Sequence, residues 1–190
     1  MNFLKAIKRT TALAIATAAI AVQATPVHAT GTYDEVWEQH MELARVIQDH
    51  GVLVHLNPPD CGKGDFMGFY AGKERAIVIC QERAEGNYTN YRWTAEDFDT
   101  LRHEAQHFIQ DCRYGGNHDH RLAPVYKEPV KFGLHVLGRD KVARIVDTYR
   151  ENGATEAVVI LEIEAFAVAA MNDTIEQAED IRHYCADSAY

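Results

Sequence analysis

Residues 101–112 read LRHEAQHFIQDC and contain His103, Glu104 and His107 in the pattern H-E-x-x-H. On a helix, positions i and i+4 share a face. That spacing lets two imidazoles reach one zinc ion at about 2.0–2.1 Å. Glu104 is rotated from His103 by about 100°. It is badly placed to be a third ligand but well placed to meet a water on the open side of the metal, at a solvent-facing cleft. The pattern therefore sets ligand, base and ligand within about one helical turn. The competing reading is an ordinary helix that happens to carry two histidines. Context favours the metal. Phe98, Leu101, Ala105, Phe108, Ile109 and Cys112 form an apolar stripe beside the motif, where histidines without partners would be costly.

A catalytic zinc takes three protein ligands and keeps one position open. After His107 the chain runs FIQDCR, without the glycine and third histidine of the metzincin extension. A glutamate on a later helix is the remaining common choice, and LEIEAFAVAA offers Glu162 and Glu164. Two acids in so apolar a segment are expensive unless paired or bound to metal. Being two apart, they point to nearly opposite sides. Glu164 aligns with Leu161, Ala167, Val168, Met171 and Ile175. Glu162 aligns with Val159, Phe166 and Ala169 and then runs into Asp173 and Glu176. The helical face favours Glu164 as the third ligand, with Glu162 the alternate. The glutamate that does not ligate is a candidate to orient a ligating histidine from outside the metal's own ligand set.

H-E-x-x-H followed some 55 residues later by a glutamate in an alanine-rich helix resembles the gluzincin metallopeptidases, and the short chain resembles their compact, minigluzincin-like members. The resemblance covers about residues 66–171 and rests on two short motifs. It implies a zincin-like fold, one Zn²⁺ per chain on His103, His107 and Glu164 (or Glu162), and Glu104 as general base. E-A-F-A at 164–167 resembles the aminopeptidase-like branch. E-x-x-A from Glu162 resembles another branch, in which an aspartate stands where this chain has Phe166. The resemblance also implies an edge strand ahead of the motif helix that pairs with extended substrate. Residues 76–80 are the candidate, with Ile77, Val78 and Ile79 at its centre. Its apolar character equally suits a buried structural strand.

The elements that must hold these groups are mostly helices. Apolar residues at helical spacing mark residues 33–50, with Gly51 as a stop. Residues 52–56 read as a short strand. Residues 66–70 and 75–81 read as strand, turn, strand. Thr94 and Asp97 form a capping signature for the motif helix, and Gly115-Gly116 end it. Further helices are predicted over 128–137, 139–152 and 155–172, with a last one up to Cys185. The class is α+β: helix-rich, zincin-like, with a small N-terminal antiparallel sheet. His118 and His120 lie in a polar linker and read as solvated loop. His135 reads as packing. Tyr114 and Tyr126 are possible transition-state donors that nothing in the sequence distinguishes from other tyrosines.

Residues 1–29 read as a signal peptide: Lys5, Lys8 and Arg9, then TALAIATAAIAV, then Val27 and Ala29 before the cut. The apolar run is too short for a comfortable membrane span. Residues 30–190 then form a single domain, secreted or periplasmic. Without the leader, 16 basic side chains face 28 acidic ones, a net charge of −12. Such a chain is a poor partner for nucleic acid or anionic lipid. Four cysteines in an exported chain suggest two disulfides. Cys61 and Cys80 flank the hairpin, and Cys112 and Cys185 end two helices, so Cys61–Cys80 and Cys112–Cys185 are the expected pairs. No C-x-x-C spacing supports a thiolate metal site. The expected function is a zinc metallopeptidase acting on a peptide or protein. The alternatives are a non-catalytic exported binding module that keeps zinc, and a disulfide-stapled domain in which the motif is accidental.

Overall fold

A computed structural model describes residues 32–63, 66–81, 92–116, 121–171 and 173–186. Among these, six α-helices and a three-stranded sheet follow the order α1 (Tyr33–Asp49), β1 (Leu53–Leu56), β2 (Gly68–Ala71), β3 (Ala76–Ile79), α2 (Ala95–Tyr114), α3 (Pro129–Leu137), α4 (Arg139–Glu151), α5 (Glu156–Met171) and α6 (Thr174–Tyr184). The α+β class is as expected. The expected signal peptide over residues 1–29, and His118 and His120, lie outside the described residues. No helix among the described residues is long and apolar enough to cross a membrane.

The helices start where their sequences say they should. Thr32 and Glu35 form a capping box on α1. On α2 the Thr94 hydroxyl accepts from the Asp97 amide at 3.2 Å, and the Asp97 carboxylate accepts from the Thr94 amide at 2.7 Å. Each box satisfies backbone donors that a helix start leaves open.

The sheet differs from the antiparallel one expected. Its order is β1-β3-β2, with β2 antiparallel and β1 parallel to β3. The hairpin is the antiparallel half. β1 lies on the other side of β3 from β2, and the chain passes from β1 through residues 57–67 to β2 before turning back into β3. This corrects the expected substrate strand. Ile77, Val78 and Ile79 lie in the central strand, and all four residues of β3 are buried. Their backbone groups are committed to β1 and β2, so this strand cannot take a third partner by edge addition.

Both expected disulfides form. Cys61–Cys80 closes the turn beside β3, and Cys112–Cys185 joins the end of α2 to the end of α6. Such bridges belong to an oxidising environment. One apolar core gathers Leu43 and Ile47 of α1, Ile77 and Ile79 of β3, Leu101, Phe108 and Ile109 of α2, and Ile181 of α6. A smaller one joins Val142, Ile145 and Tyr149 of α4 to Val159 and Ile163 of α5.

Two close approaches set the geometry around the motif. A Cβ on Gly68 would lie 2.5 Å from Thr100 Cγ2 and 3.5 Å from Glu104 Cγ, so β2 lies directly on α2. A Cβ on Gly133 would lie 2.2 Å from Ile163 Cγ2, so α3 lies directly on α5. Arg102 then locks α2 to its neighbours. Its Nε donates to the Ala169 carbonyl of α5 at 2.9 Å, and its guanidinium meets His40 of α1 and Asp99. Gln177 of α6 donates to the Arg102 carbonyl at 2.7 Å. Burial, then the Arg102 charge, push the His40 pKa down to about 4 against the pull of its bond to the Val36 carbonyl. His40 therefore stays neutral and accepts from Arg102.

Candidate metal centre

Helices α2 and α5 face each other across the motif. His103 and His107 project from α2 on one face, as the i, i+4 spacing requires. Their Nε2 atoms lie 3.1 Å apart. Glu162 of α5 completes the group: its Oε2 is 3.2 Å from His103 Nε2 and its Oε1 is 3.4 Å from His107 Nε2. These three residues are all buried and form the one potential metal-holding group among the described residues.

The three separations test whether an ion fits. Ligands at about 2.0–2.1 Å from a tetrahedral centre stand about 3.3–3.4 Å from one another. The two Nε2 atoms, 3.1 Å apart, and the separations of 3.2 and 3.4 Å from each of them to its own Glu162 oxygen are close to that size. The polar accounting agrees. Glu162 is 0% exposed, and neither of its oxygens has a hydrogen bond of acceptable geometry. Only the two histidine rings face it, and a cation between the three residues would replace the histidine proton as its counter-charge. Two neutral imidazoles and a carboxylate are also a donor set that suits zinc.

The charges in the metal-free centre follow from its closure. Burial works against a proton on His107, but the Glu162 carboxylate outweighs it, helped by Glu104, and raises His107 to about 9. Burial likewise works against ionising Glu162. His107 and His103 outweigh it and hold Glu162 down at about 2.

Glu164 is not at the centre, which corrects the favoured choice of third ligand. Its carboxylate is already taken. The Val125 amide donates at 3.0 Å, the Tyr126 amide at 3.0 Å, Gln106 Nε2 at 3.0 Å and Gln110 Nε2 at 3.0 Å. The facial argument failed because α5 is buried on both sides. Glu162 and Glu164 are both 0% exposed, whereas Met171 and Ile175, which extended the favoured stripe, are 38% and 64% exposed. A helix clamped by α3 and α2 has no polar face to read.

Glu104 is one residue on from His103 and within electrostatic reach of His107. It is 0% exposed, so the cleft expected beside it is instead a closed interior. Phe166, standing where the resemblance expects an aspartate, packs edge-on against His103 with ring centroids 4.4 Å apart. His103 Nδ1 accordingly has no hydrogen-bond partner. Gln110 serves His107 instead: its Oε1 meets His107 Nδ1 at 2.8 Å.

Sequence reasoning missed Gln110, Arg102 and Tyr149. Tyr149 of α4 is buried, and its hydroxyl has no hydrogen-bond partner of good geometry. Burial first, then Glu162 and Glu104, drive its pKa far up, so the hydroxyl keeps its proton. Nothing local in TYREN marks it, because its place depends on how α4 lies on α5. Gln110 was findable, since it follows His107 by three residues on a confident helix. Of the tyrosines expected as donors, Tyr114 is 45% exposed and Tyr126 stacks on Phe132 at 3.9 Å. His135 is exposed on α3 rather than packed.

Residues 32–186 match the family described as domain of unknown function DUF8637, and the chain belongs to that family. No curated protein and no solved structure matches it.

Proposed function

We propose that this DUF8637 domain is an exported zinc metallopeptidase whose ion is held by His103, His107 and Glu162. The observation that carries the reading is the buried group of His103, His107 and Glu162, its donor atoms 3.1–3.4 Å from their neighbours, with an acid one residue from the first histidine. When bound, zinc supplies a Lewis acid that polarises a carbonyl and lowers the pKa of water toward about 7.

The chain's own groups do the rest. Glu104 accepts a proton from the attacking water and returns it to the leaving amine as the C–N bond breaks. Tyr149 offers the O–H it retains to oxygen carrying developing negative charge. The two disulfides and the leader-like N-terminus support export.

A second reading has one observation in its favour. Glu104 and Glu162 are 0% exposed and both histidines 4% or less, which suits an interaction module that keeps zinc for stability. Glu104→Gln separates the two. The peptidase reading expects full zinc content and about a 10²–10⁴-fold loss of casein or peptide-library cleavage. A wild type that holds stoichiometric zinc but cleaves nothing rejects the peptidase. A wild type that takes up no zinc rejects both readings.

A further inference from the structure

The amide of Gln110 is held at both ends. Its Nε2 lies 3.0 Å from Glu164 Oε1 and 3.1 Å from the Leu161 carbonyl oxygen. Its Oε1 lies 2.8 Å from His107 Nδ1. Oxygen and nitrogen of an amide are usually assigned from their surroundings, and here the surroundings leave one choice. A carboxylate and a carbonyl can only accept, so they must face the NH₂ group. The amide oxygen must then face His107. An oxygen acceptor at Nδ1 requires the proton to sit on Nδ1. The lone pair of the neutral ring is thereby left on Nε2, the atom that points at His103 Nε2 and Glu162.

Glu164 is itself fixed from outside the centre. The Val125 and Tyr126 amides belong to the segment leading into α3, and both donate to its carboxylate. Gln106, between the two histidines on α2, adds a third anchor. A chain of hydrogen bonds therefore runs from the backbone at 125–126, through Glu164 and Gln110, to His107.

We propose that Gln110 is a positioning residue that fixes the metal-ready tautomer of His107, and that Glu164 acts through it by fixing which way the amide faces. This rests on the zinc reading of the centre. It gives the second glutamate of LEIEAFAVAA a role other than ligation. It also makes the two histidines unequal, because His103 has no such partner at Nδ1.

The test uses the zinc-loaded protein and two variants, Gln110→Met and Glu164→Gln. Methionine keeps the length of the side chain but removes both the acceptor for Nδ1–H and the donors to Glu164. Glutamine at 164 weakens one of the two acceptors that hold the Gln110 NH₂ group and leaves the Leu161 carbonyl as the other. Zinc affinity is read by competition with a chromophoric chelator, and the tautomer by ¹⁵N NMR of the imidazoles. Expected in the wild type is a protonated, slowly exchanging Nδ1 on His107. In Gln110→Met zinc affinity should fall about 10–100-fold, as for loss of an outer-shell partner, with the Nδ1–H signal broadened by exchange. Glu164→Gln should move both readouts in the same direction, and if it does not fold, Gln110→Met alone decides. Unchanged affinity, or weaker binding with the His107 signal intact, overturns the proposal while leaving the zinc centre standing. A wild type that takes up no zinc overturns both, and shows it before any variant is made.

Discussion

The Glu162 carboxylate lies 3.4 Å from the His107 ring, and both are closed to water. In the metal-free protein His107 titrates at about 9 and Glu162 at about 2. His107 is raised above its ordinary 6.5, so its stabilising share is full below 6.5 and is lost as pH rises through about 9. Glu162 is lowered from 4.5, so its share is full above 4.5 and is lost as pH falls through about 2. The pair thus supports the metal-free fold best between about 4.5 and 6.5. On the zinc reading, an ion taken up at neutral pH would have to displace the His107 proton. Zinc uptake at pH 7 should therefore release that proton, and this site should contribute about a tenfold gain in affinity per pH unit up to about 9. Calorimetry in two buffers of different ionisation enthalpy measures the proton count. A count of zero would remove the pair from the binding reaction.

Glu162→Ala should weaken zinc binding more than Glu164→Ala. Loss of Glu162 removes a donor from the group, whereas Glu164 acts at one remove, through Gln110. The Glu162 deficit should exceed the roughly 10–100-fold of an outer-shell change. His103→Ala with His107→Ala should abolish stoichiometric zinc. The reverse ranking of the glutamates, read by chelator competition, would move the third ligand back to Glu164.

Gly133→Ala should destabilise the fold by about 1–3 kcal/mol, the usual cost of overpacking. The new Cβ would lie 2.2 Å from Ile163 Cγ2, and Ile163 sits between the two glutamates on α5. Ile163 must give way, and a shift of α5 to allow it would carry Glu162 along. Denaturant midpoint and zinc affinity should fall together, and a change in stability alone would show that α5 yields without disturbing the centre.

How far the sequence was readable depended on whether the signal was local. The H-E-x-x-H turn, the Thr94–Asp97 cap and both disulfide pairs depend on neighbouring residues or on helix ends, and each could be named in advance. The choice between Glu162 and Glu164 was not local. It needed to be known that α3 covers one side of α5 and α2 the other, which leaves an apolar helix with no exposed side. The parallel pairing of β1 was hidden for the same reason: LVHL fits either direction, and the connection that decides it, residues 57–67, precedes the hairpin. Tyr149 reaches the centre only through the packing of α4 on α5, which no spacing within TYREN encodes.

The two disulfides should differ in worth. Cys112–Cys185 closes a separation of 73 residues and Cys61–Cys80 one of 19. Chain entropy gives about 4 kcal/mol for the longer loop and about 3 for the shorter. Paired serine variants compared by denaturant unfolding should rank in that order. Equal losses would place the stabilisation in the folded contacts rather than in the unfolded chain.

Cys112 lies five residues after His107 on α2, and Cys185 lies past the end of α6, beyond Glu162. All the backbone between the second histidine and the glutamate, apart from the stretch from His107 to Cys112, therefore lies in a closed ring. A protease that cuts the connection between α4 and α5 would open the ring without parting the molecule, since the pieces bearing the histidines and Glu162 stay joined through sulfur. Such a nicked chain should run as two bands under reduction and one without it, and should give up its metal only when a reductant is added.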